Sequence, residues 1–246
     1  MKIKYSLKDI KKTVHPKAPW LAVLVYDPIS IRLVWLIANF TKITPNQITI
    51  FGFLIGLSSA WCFFHGTHFY LILGVLLFGF STILDWTDGK LARLRKFESR
   101  FGRYLDSITD QIRNFFIVLC LVYGQYLLTG DFLYFLFGMV YNFFYLTHWI
   151  SGYEIYAIKN EFPREDISLN HTSTVQNKFS FVWKIKAYFE SKQISVLPTF
   201  AEADALAFFI FPILMKIKLG LLLGSIILFF NILIGAIYFF KIKCKK

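Results

Sequence analysis

The sequence predicts an all-α integral membrane protein, with six transmembrane helices preceded by an N-terminal interfacial amphipathic helix. Of the 246 residues, 56% are hydrophobic and only 17% are charged, whereas soluble domains carry about 25% charged residues. The mean hydropathy is +0.53. The apolar residues are grouped in runs of about 20, the length at which a helix crosses the hydrocarbon core. These observations exclude an ordinary soluble domain.

Six apolar runs follow one another along the chain, at about 47–64, 69–92, 103–128, 132–158, 196–215 and 219–240. Ahead of them, Pro28 suits the first turn of a helix over 28–41, whose apolar face is interrupted by Arg32 and Asn39. This stretch is too short to span, so we expect it to lie in the membrane plane. A short additional span beginning near Trp20 is the alternative. The expected division is a cytoplasmic arm with the interfacial helix, 1–42, and a transmembrane catalytic domain, 43–246.

The distribution of positive charge predicts the orientation. The net charge is +12, and Lys and Arg are concentrated in the N-terminal arm and in segments 93–103, 159–192 and 241–246. Cytoplasmic loops carry such an excess, so we expect both terminal segments, the 93–102 connection and the 159–194 segment to be cytoplasmic. Lys216 and Lys218, in the short turn between the last two runs, are exceptions. Because the basic segments flank apolar runs and form no aromatic stacking platform, we expect no nucleic acid partner.

Four carboxylates interrupt the apolar pattern at the facing ends of two runs. Asp85 and Asp88 end the second run, and Asp106 and Asp110 begin the third. A charged side chain near the bilayer centre costs about 3 kcal/mol, so such residues are expected to face a shared polar site. Spacings of three and four residues place each pair on one helix face. The short connection makes the helices antiparallel neighbours, so the four carboxylates converge near the cytoplasmic interface. Simple helix-end capping would not explain the paired spacing.

Four carboxylates in a low dielectric repel one another, and one or two divalent cations would relieve that repulsion. Gly89 and Ala92 leave room for a bulky ligand against the helix, and Arg93 has a planar donor fork suited to phosphate. Anchoring the cytoplasmic helix end is the alternative for Arg93. The pattern thus predicts metal-assisted phosphoryl or phosphate-ester transfer at the membrane surface. A cation transporter or channel with the aspartates as its ion site, or a non-catalytic scaffold, are the alternative functions.

Eight residues have the spacing Asp-x2-Asp-Gly-x2-Ala-Arg-x8-Gly-x3-Asp-x3-Asp, from Asp85 to Asp110, with every position present. This pattern resembles the signature of the CDP-alcohol phosphotransferases, integral membrane enzymes of phospholipid synthesis. Thr44, Pro45 and Asn46, just before the first run, resemble a Thr-Pro-Asn start common in that family. The likeness covers most of the chain and thins after about residue 130.

The resemblance implies that an alcohol hydroxyl attacks the β-phosphorus of a CDP-alcohol, such as CDP-diacylglycerol, and releases CMP. It implies that Mg²⁺ or Mn²⁺, as a pair of ions, is held by four residues, Asp85, Asp88, Asp106 and Asp110. Asp110 would also be the catalytic base. The nucleotide and phosphates would be bordered by Asn46, Pro45, Gly89, Ala92, Arg93 and Gly102. The resemblance further implies a homodimer in the lipid bilayer.

Three weaker candidates concern the acceptor alcohol. Glu202 and Asp204 lie early in the fifth run and, being two residues apart, face different sides of a helix. Arg113 lies one turn after Asp110, and its alternative role is an ion pair with Asp110 or Asp106. The runs contain no dense Arg or Lys cluster, which disfavours a phosphorylated acceptor. The sequence does not predict which alcohol is used.

Overall fold

In a computed structural model, the described residues are 4–14, 19–161 and 198–243, and they contain helices and no strand. The long helices are α2 (Ala22–Phe40), α3 (Pro45–His65), α4 (His68–Arg95), α5 (Arg100–Thr129), α6 (Leu133–Glu161) and α9 (Ile217–Lys243). The short helix α1 (Leu7–Lys11) precedes them. Between α6 and α9 lie α7 (Phe200–Ala205), a π-helical stretch (Leu206–Ile210) and α8 (Phe211–Ile213). The predicted all-α class is confirmed.

Five helices in the described ranges are long and apolar enough to cross a membrane: Ala22–Phe40, Pro45–His65, His68–Arg95, Arg100–Thr129 and Ile217–Ile237. Four of them overlap predicted runs. The fourth predicted run is α6, whose tyrosines, Asn142 and His148 reduce its apolar character. The fifth contains α7, the π-helical stretch and α8. The predicted cytoplasmic segment 159–194 lies outside the described residues from 162 onward, as do residues 244–246.

The helix α2 differs from the predicted interfacial helix because it begins before Pro28. Residues Ala22–Tyr26 form its π-helical first part, and the α-helical part follows from Asp27. A proline ring inside an α-helix clashes with the carbonyl four residues earlier, and the wider turn that precedes Pro28 accommodates it. Pro28 therefore lies in the first turn of the α-helical part, as predicted, but the helix as a whole begins before it. The resulting helix, Ala22–Phe40, is long enough to span a membrane. An additional span beginning near Trp20 was the alternative to an interfacial helix.

The helix α3 packs against both α4, which runs antiparallel to it, and α5, which runs parallel to it, and the three form the centre of the fold. The close approach of α3 and α5 requires Gly124, because a Cβ there would lie 2.3 Å from the carbonyl oxygen of Phe64. A buried core of Phe63, Phe78, Ile117 and Leu121 fills the space between the helices. This packing brings the start of α3, the end of α4 and the start of α5 to the same end of the molecule.

The helix α2 is fixed to α4 by apolar and charged contacts. Val34 and Ala38 are buried with Leu84 and Leu91. Lys90 Nζ lies 2.7 Å from Asp27 Oδ1, and their side chains are only 1% and 7% exposed. Both ends of α2 therefore contact the part of α4 that carries the aspartates.

Candidate active site

Three of the four motif aspartates meet between α4 and α5. One carboxylate oxygen from each of Asp85, Asp88 and Asp106 lies within 4.8 Å of the others. Asp110, one turn after Asp106, shares the lining of a small cavity with Asp85 and Asp88. The arrangement follows from the sequence spacing, because each pair lies on one face of its helix and the two helices are antiparallel. We call these four residues the carboxylate cluster.

The carboxylate cluster fits a divalent metal ion. Thr49 Oγ1 donates a hydrogen bond to Asp88 Oδ2 at 2.5 Å. Asp106 Oδ1 is buried and accepts no hydrogen bond from the described residues. A buried carboxylate oxygen without a donor, beside other carboxylates, is costly in a low dielectric. Hard divalent cations bind through such oxygens, so a bound ion would supply the missing charge and coordination.

A cavity of about 140 Å³ opens beside the carboxylate cluster, and we call it the nucleotide cavity. Its lining includes all six residues for which the sequence predicts nucleotide or phosphate contact: Pro45, Asn46, Gly89, Ala92, Arg93 and Gly102. Asp88 and Asp106 form its inner end. A glycine is favoured at position 102 for steric reasons, because a Cβ there would lie only 3.1 Å from Asn46 Oδ1. A ligand in this cavity can reach the backbone of both helices and the carboxylates together.

Arg93 has two roles in this geometry. Its Nε donates to the Thr13 carbonyl oxygen at 2.8 Å, which attaches α4 to the N-terminal segment. Its terminal nitrogens lie 3.6 and 3.7 Å from the place that a Gly89 Cβ would take. The Arg93 guanidinium therefore anchors the end of α4, which is the alternative role considered from the sequence. It also borders the nucleotide cavity.

The three acceptor candidates are in different surroundings. Arg113 is buried and forms an ion pair with Asp110 at 2.8 Å, while its Nη1 donates to Ser81 Oγ at 3.3 Å. Glu202 accepts hydrogen bonds from the Thr199 backbone N–H and hydroxyl, each at 2.6 Å, and so caps α7.

Asp204 faces away from that cap and accepts a hydrogen bond from the Tyr141 hydroxyl at 2.6 Å. It lines a cavity that Asp85 and Asp110 also line. Glu202 and Asp204 thus face different sides of α7 and cannot act as a pair.

Sequence reasoning missed several residues that contact the site. Thr49 lies one turn after Pro45 in α3, so helical periodicity contained the signal for its position beside the motif. Tyr145 of α6 lines a cavity with Asp85 and Asp110, and Tyr141 of the same helix bonds Asp204; both positions result from tertiary packing. The buried ion pair of Asp27 and Lys90 joins residues that are far apart in sequence, and no local pattern indicates it.

Comparison with known sequences gives one family over most of the chain. A family model described as CDP-alcohol phosphatidyltransferase matches residues 42–238. A bifunctional IPC transferase and DIPP synthase of Archaeoglobus fulgidus is 39% identical over 99 residues, which are 39% of this chain and 19% of that protein. An archaetidylinositol phosphate synthase of Pyrococcus horikoshii is 38% identical over 82 residues, which are 33% of this chain and 42% of that protein. The match thus spans about a fifth of the first relative and less than half of the second.

Comparison with solved structures gives the same architecture. A phosphatidylinositol phosphate synthase of Mycobacterium tuberculosis with CDP-DAG bound aligns over 86% of this chain and 92% of its own, with 17% identity and a TM-score of 0.51. Its complex with manganese and citrate aligns over 86% of this chain and 87% of its own, with 17% identity and a TM-score of 0.50. At this identity the similarity is one of fold.

Proposed function

The chain belongs to the CDP-alcohol phosphatidyltransferase family, and from that premise we propose that it transfers a substituted phosphate from a CDP-alcohol to an acceptor alcohol and releases CMP. The observation that carries this proposal is the nucleotide cavity, in which small residues, Arg93 and two carboxylates converge. A nucleotide there would have its diphosphate beside Asp88 and Asp106. The matched relatives are named transferases and synthases, which supports the same reaction class.

We assign Asp85, Asp88, Asp106 and Asp110 as ligands of a pair of Mg²⁺ or Mn²⁺ ions. Divalent ions bound there would neutralise the diphosphate and stabilise the leaving group. The hydrogen bond from Thr49 engages Asp88 Oδ2 and leaves Oδ1 for coordination. Asp106 Oδ1, to which no described residue donates a hydrogen bond, is the second oxygen available for a cation. A solved structure of this fold holds manganese and citrate.

The nucleotide cavity favours the cytidine part of the donor for steric and electrostatic reasons. Gly89, Ala92 and Gly102 let a flat base or ribose approach the backbone of α4 and α5. The Asn46 amide can donate and accept hydrogen bonds to polar groups of the nucleotide. The Arg93 guanidinium donates to phosphate oxygens and fixes their orientation. Positioning and charge stabilisation account for most of the catalysis in phosphoryl transfer.

Asp110 is the proposed general base for the acceptor hydroxyl. It belongs to the carboxylate cluster but, unlike Asp88 and Asp106, it does not line the nucleotide cavity and instead lines a second cavity with Asp85. Arg113 holds the Asp110 carboxylate through the ion pair at 2.8 Å and is itself fixed by Ser81. An acceptor hydroxyl at Asp110 would lie outside the nucleotide cavity, and in-line displacement requires that it approach the phosphorus opposite the leaving oxygen.

The chain is a multi-pass integral membrane protein, and we propose six spans with the active site and both terminal segments cytoplasmic. The active-site end of the helices carries Arg93, Arg95 and Arg103, in keeping with positive-inside orientation. At the other end, Lys218 forms an ion pair with Asp131 and lowers the pKa of that carboxyl by its hydrogen bond. The ion pair with Asp131 would explain why Lys218 lies at this end, although the positive-inside rule places most basic residues at the other end. The homodimer implied by the family stays a prediction.

Purified protein in detergent tests the reaction directly. With Mg²⁺, CDP-diacylglycerol and a panel of alcohols, we expect CMP release that requires both the metal and an acceptor. Asp110→Asn should lower the rate at least about 100-fold, because general base catalysis typically contributes that much. Asp131→Asn, the same chemical change far from the site, should leave the rate unchanged. Folded protein that yields no CMP from any CDP-alcohol would refute the proposal.

A further inference from the structure

A second cavity adjoins the carboxylate cluster through Asp85 and Asp110 rather than through Asp88 and Asp106, and we call it the acceptor cavity. Asp204 also lines it. Its lining includes five aromatic residues from four separate parts of the chain: Tyr26, Phe78, Trp86, Tyr145 and Phe200. The Tyr26 and Trp86 rings are stacked, with centroids 6.2 Å apart. Unlike the nucleotide cavity, it offers side chains rather than exposed backbone.

Asp204 brings a carboxylate into this cavity that the metal cluster does not use. Tyr141 donates to its Oδ1 at 2.6 Å, and Asn114 Nδ2 lies 3.5 Å from its Oδ2. An ionised carboxylate has about four acceptor positions. Asp204 can therefore accept further hydrogen bonds from a ligand. Donors from the ligand would also offset the cost of placing this charge among aromatic rings.

The charge of the acceptor cavity disfavours an anionic ligand. Among its described lining residues, Arg113 is the only cation, and it is already paired with Asp110 and bonded to Ser81. Lys90 lies behind Trp86, 4.9 Å from the ring centroid, and is paired with Asp27. Counting only the residues that the structure describes, a phosphate in the cavity would face three carboxylates and no uncommitted guanidinium or ammonium. Phosphate sites normally use such groups as bidentate or multiple donors.

We propose that the acceptor cavity binds a small alcohol that carries hydrogen-bond donors and no phosphate or other anionic group. This inference rests on the proposed function. The reacting hydroxyl lies at Asp110 and the remaining donors bind Asp204. The hydroxyl oxygen attacks the β-phosphorus while its proton passes to Asp110. The bond from that phosphorus to the bridging oxygen breaks, and CMP leaves with the bridging oxygen.

Two kinds of alcohol have this chemistry. The hydroxyls of a neutral polyol can bind Asp204 while its C–H faces lie on the aromatic rings. The ammonium group of an amino alcohol can bind the same carboxylate and contact Trp86 or Tyr145 by cation–π interaction. Both satisfy Asp204 without adding negative charge.

Matched pairs of acceptors test the inference on wild-type protein. The pairs are inositol with inositol 1-phosphate and glycerol with glycerol 3-phosphate, and ethanolamine represents the amino alcohols. CMP release and the labelled lipid product are measured with CDP-diacylglycerol and Mg²⁺. We expect kcat/KM at least tenfold higher for a phosphate-free alcohol than for any phosphorylated one. The best substrate then identifies the polyol or the amino alcohol. Equal or better use of a phosphorylated acceptor would overturn the inference.

The variant Asp204→Asn tests whether Asp204 binds the acceptor alcohol. It should raise the KM of the best acceptor about tenfold or more, since hydrogen bonds to charged groups contribute about 1.5–3 kcal/mol. The KM of the CDP-alcohol should stay within about twofold, because Asp204 is outside the nucleotide cavity. Calorimetric titration of the acceptor without nucleotide should show the same loss of affinity. Asp131→Asn is the matched control and should keep the wild-type acceptor KM. An unchanged acceptor KM in Asp204→Asn would contradict the inference.

The outcomes separate this inference from the proposed function. CMP formed only with phosphorylated acceptors, or only with diacylglycerol, would support the reaction and refute the assigned acceptor class. Absence of CMP with every acceptor, together with no binding of cytidine nucleotides, would refute both. The acceptor panel needs no variant, so it decides the question even if Asp204→Asn does not fold.

Discussion

The two cavities that meet at the carboxylate cluster are built in different ways. The nucleotide cavity is bordered by Gly89, Ala92 and Gly102, which expose the backbone of two neighbouring helices. The acceptor cavity is bordered by aromatic rings and by Asp204, which come from α2, α4, α6 and α7. A wall of small residues accepts any ligand of the right shape, whereas a wall of large polar and aromatic side chains discriminates by chemistry. The first suits a donor nucleotide and the second suits selection among alcohols.

The carboxylate cluster belongs to both cavities, so its loss should affect both substrates. Asp106→Asn removes a buried carboxylate oxygen that has no donor among the described residues. We expect activity to fall about a thousandfold with every acceptor, because metal-ion stabilisation of transition-state charge is worth several kcal/mol. Binding of Mn²⁺, followed by electron paramagnetic resonance, should weaken in parallel. Retention of wild-type Mn²⁺ binding would remove Asp106 from the proposed ligands.

A buried ion pair connects the walls of the two cavities. Lys90 adjoins Gly89 of the nucleotide cavity, and Asp27 adjoins Tyr26 of the acceptor cavity. Lys90→Met would leave the Asp27 carboxylate buried without its counter-charge, so we expect a loss of about 3 kcal/mol or more in stability. Thermal unfolding in detergent measures this change.

The double variant Asp27→Asn with Lys90→Met is the control for that prediction. It removes both charges and should recover much of the lost stability, because the main cost comes from the unpaired carboxylate. A single variant as stable as wild type would show that the pair does not hold α2 on α4.

Gly89 allows the nucleotide cavity to be changed alone. A Cβ at this position would have no neighbour closer than 3.6 Å, so Gly89→Ala should fold normally. With the donor bound, the methyl group would crowd the ligand, and overpacking costs about 1–3 kcal/mol. We expect the KM of the CDP-alcohol to rise about tenfold in steady-state assays, with the acceptor KM nearly unchanged. Equal increases in both would show that the cavities are not separable.

The sequence contains enough information for the nucleotide cavity because its determinants are local. Asp85, Asp88 and Gly89 lie within two turns of one helix, and helical geometry alone places them on adjoining faces. Gly102 and Asp106 follow the same rule on the next helix. The short connection then returns α5 to the end of the molecule at which α4 stops, and α3 packs against both helices. Spacing therefore predicts the residues that the structure brings together there.

The acceptor cavity could not be predicted in this way because it depends on tertiary packing. Tyr145 and Phe200 belong to α6 and α7, and no periodic pattern relates them to Asp110. Spacing indicated that Glu202 and Asp204 face different sides but not which of them faces the cluster. The sequence around Pro28 is compatible with a helix that begins there and equally with a helix that is preceded by a π-helical turn. The packing of α2 on α4 selects the second.

Glu202 gives the smallest effect and separates the structural from the binding role of the two acidic residues on α7. It is only 3% exposed, and its oxygens accept hydrogen bonds from Thr199 and from the Leu21 backbone N–H. Glu202→Gln keeps an acceptor but loses charge near the start of α7, so stability should fall by about 1 kcal/mol. The ratio of acceptor KM values across the alcohol panel should stay that of the wild type. If that ratio changes in Glu202→Gln as it does in Asp204→Asn, both residues act through the position of α7, and direct recognition by Asp204 would be excluded.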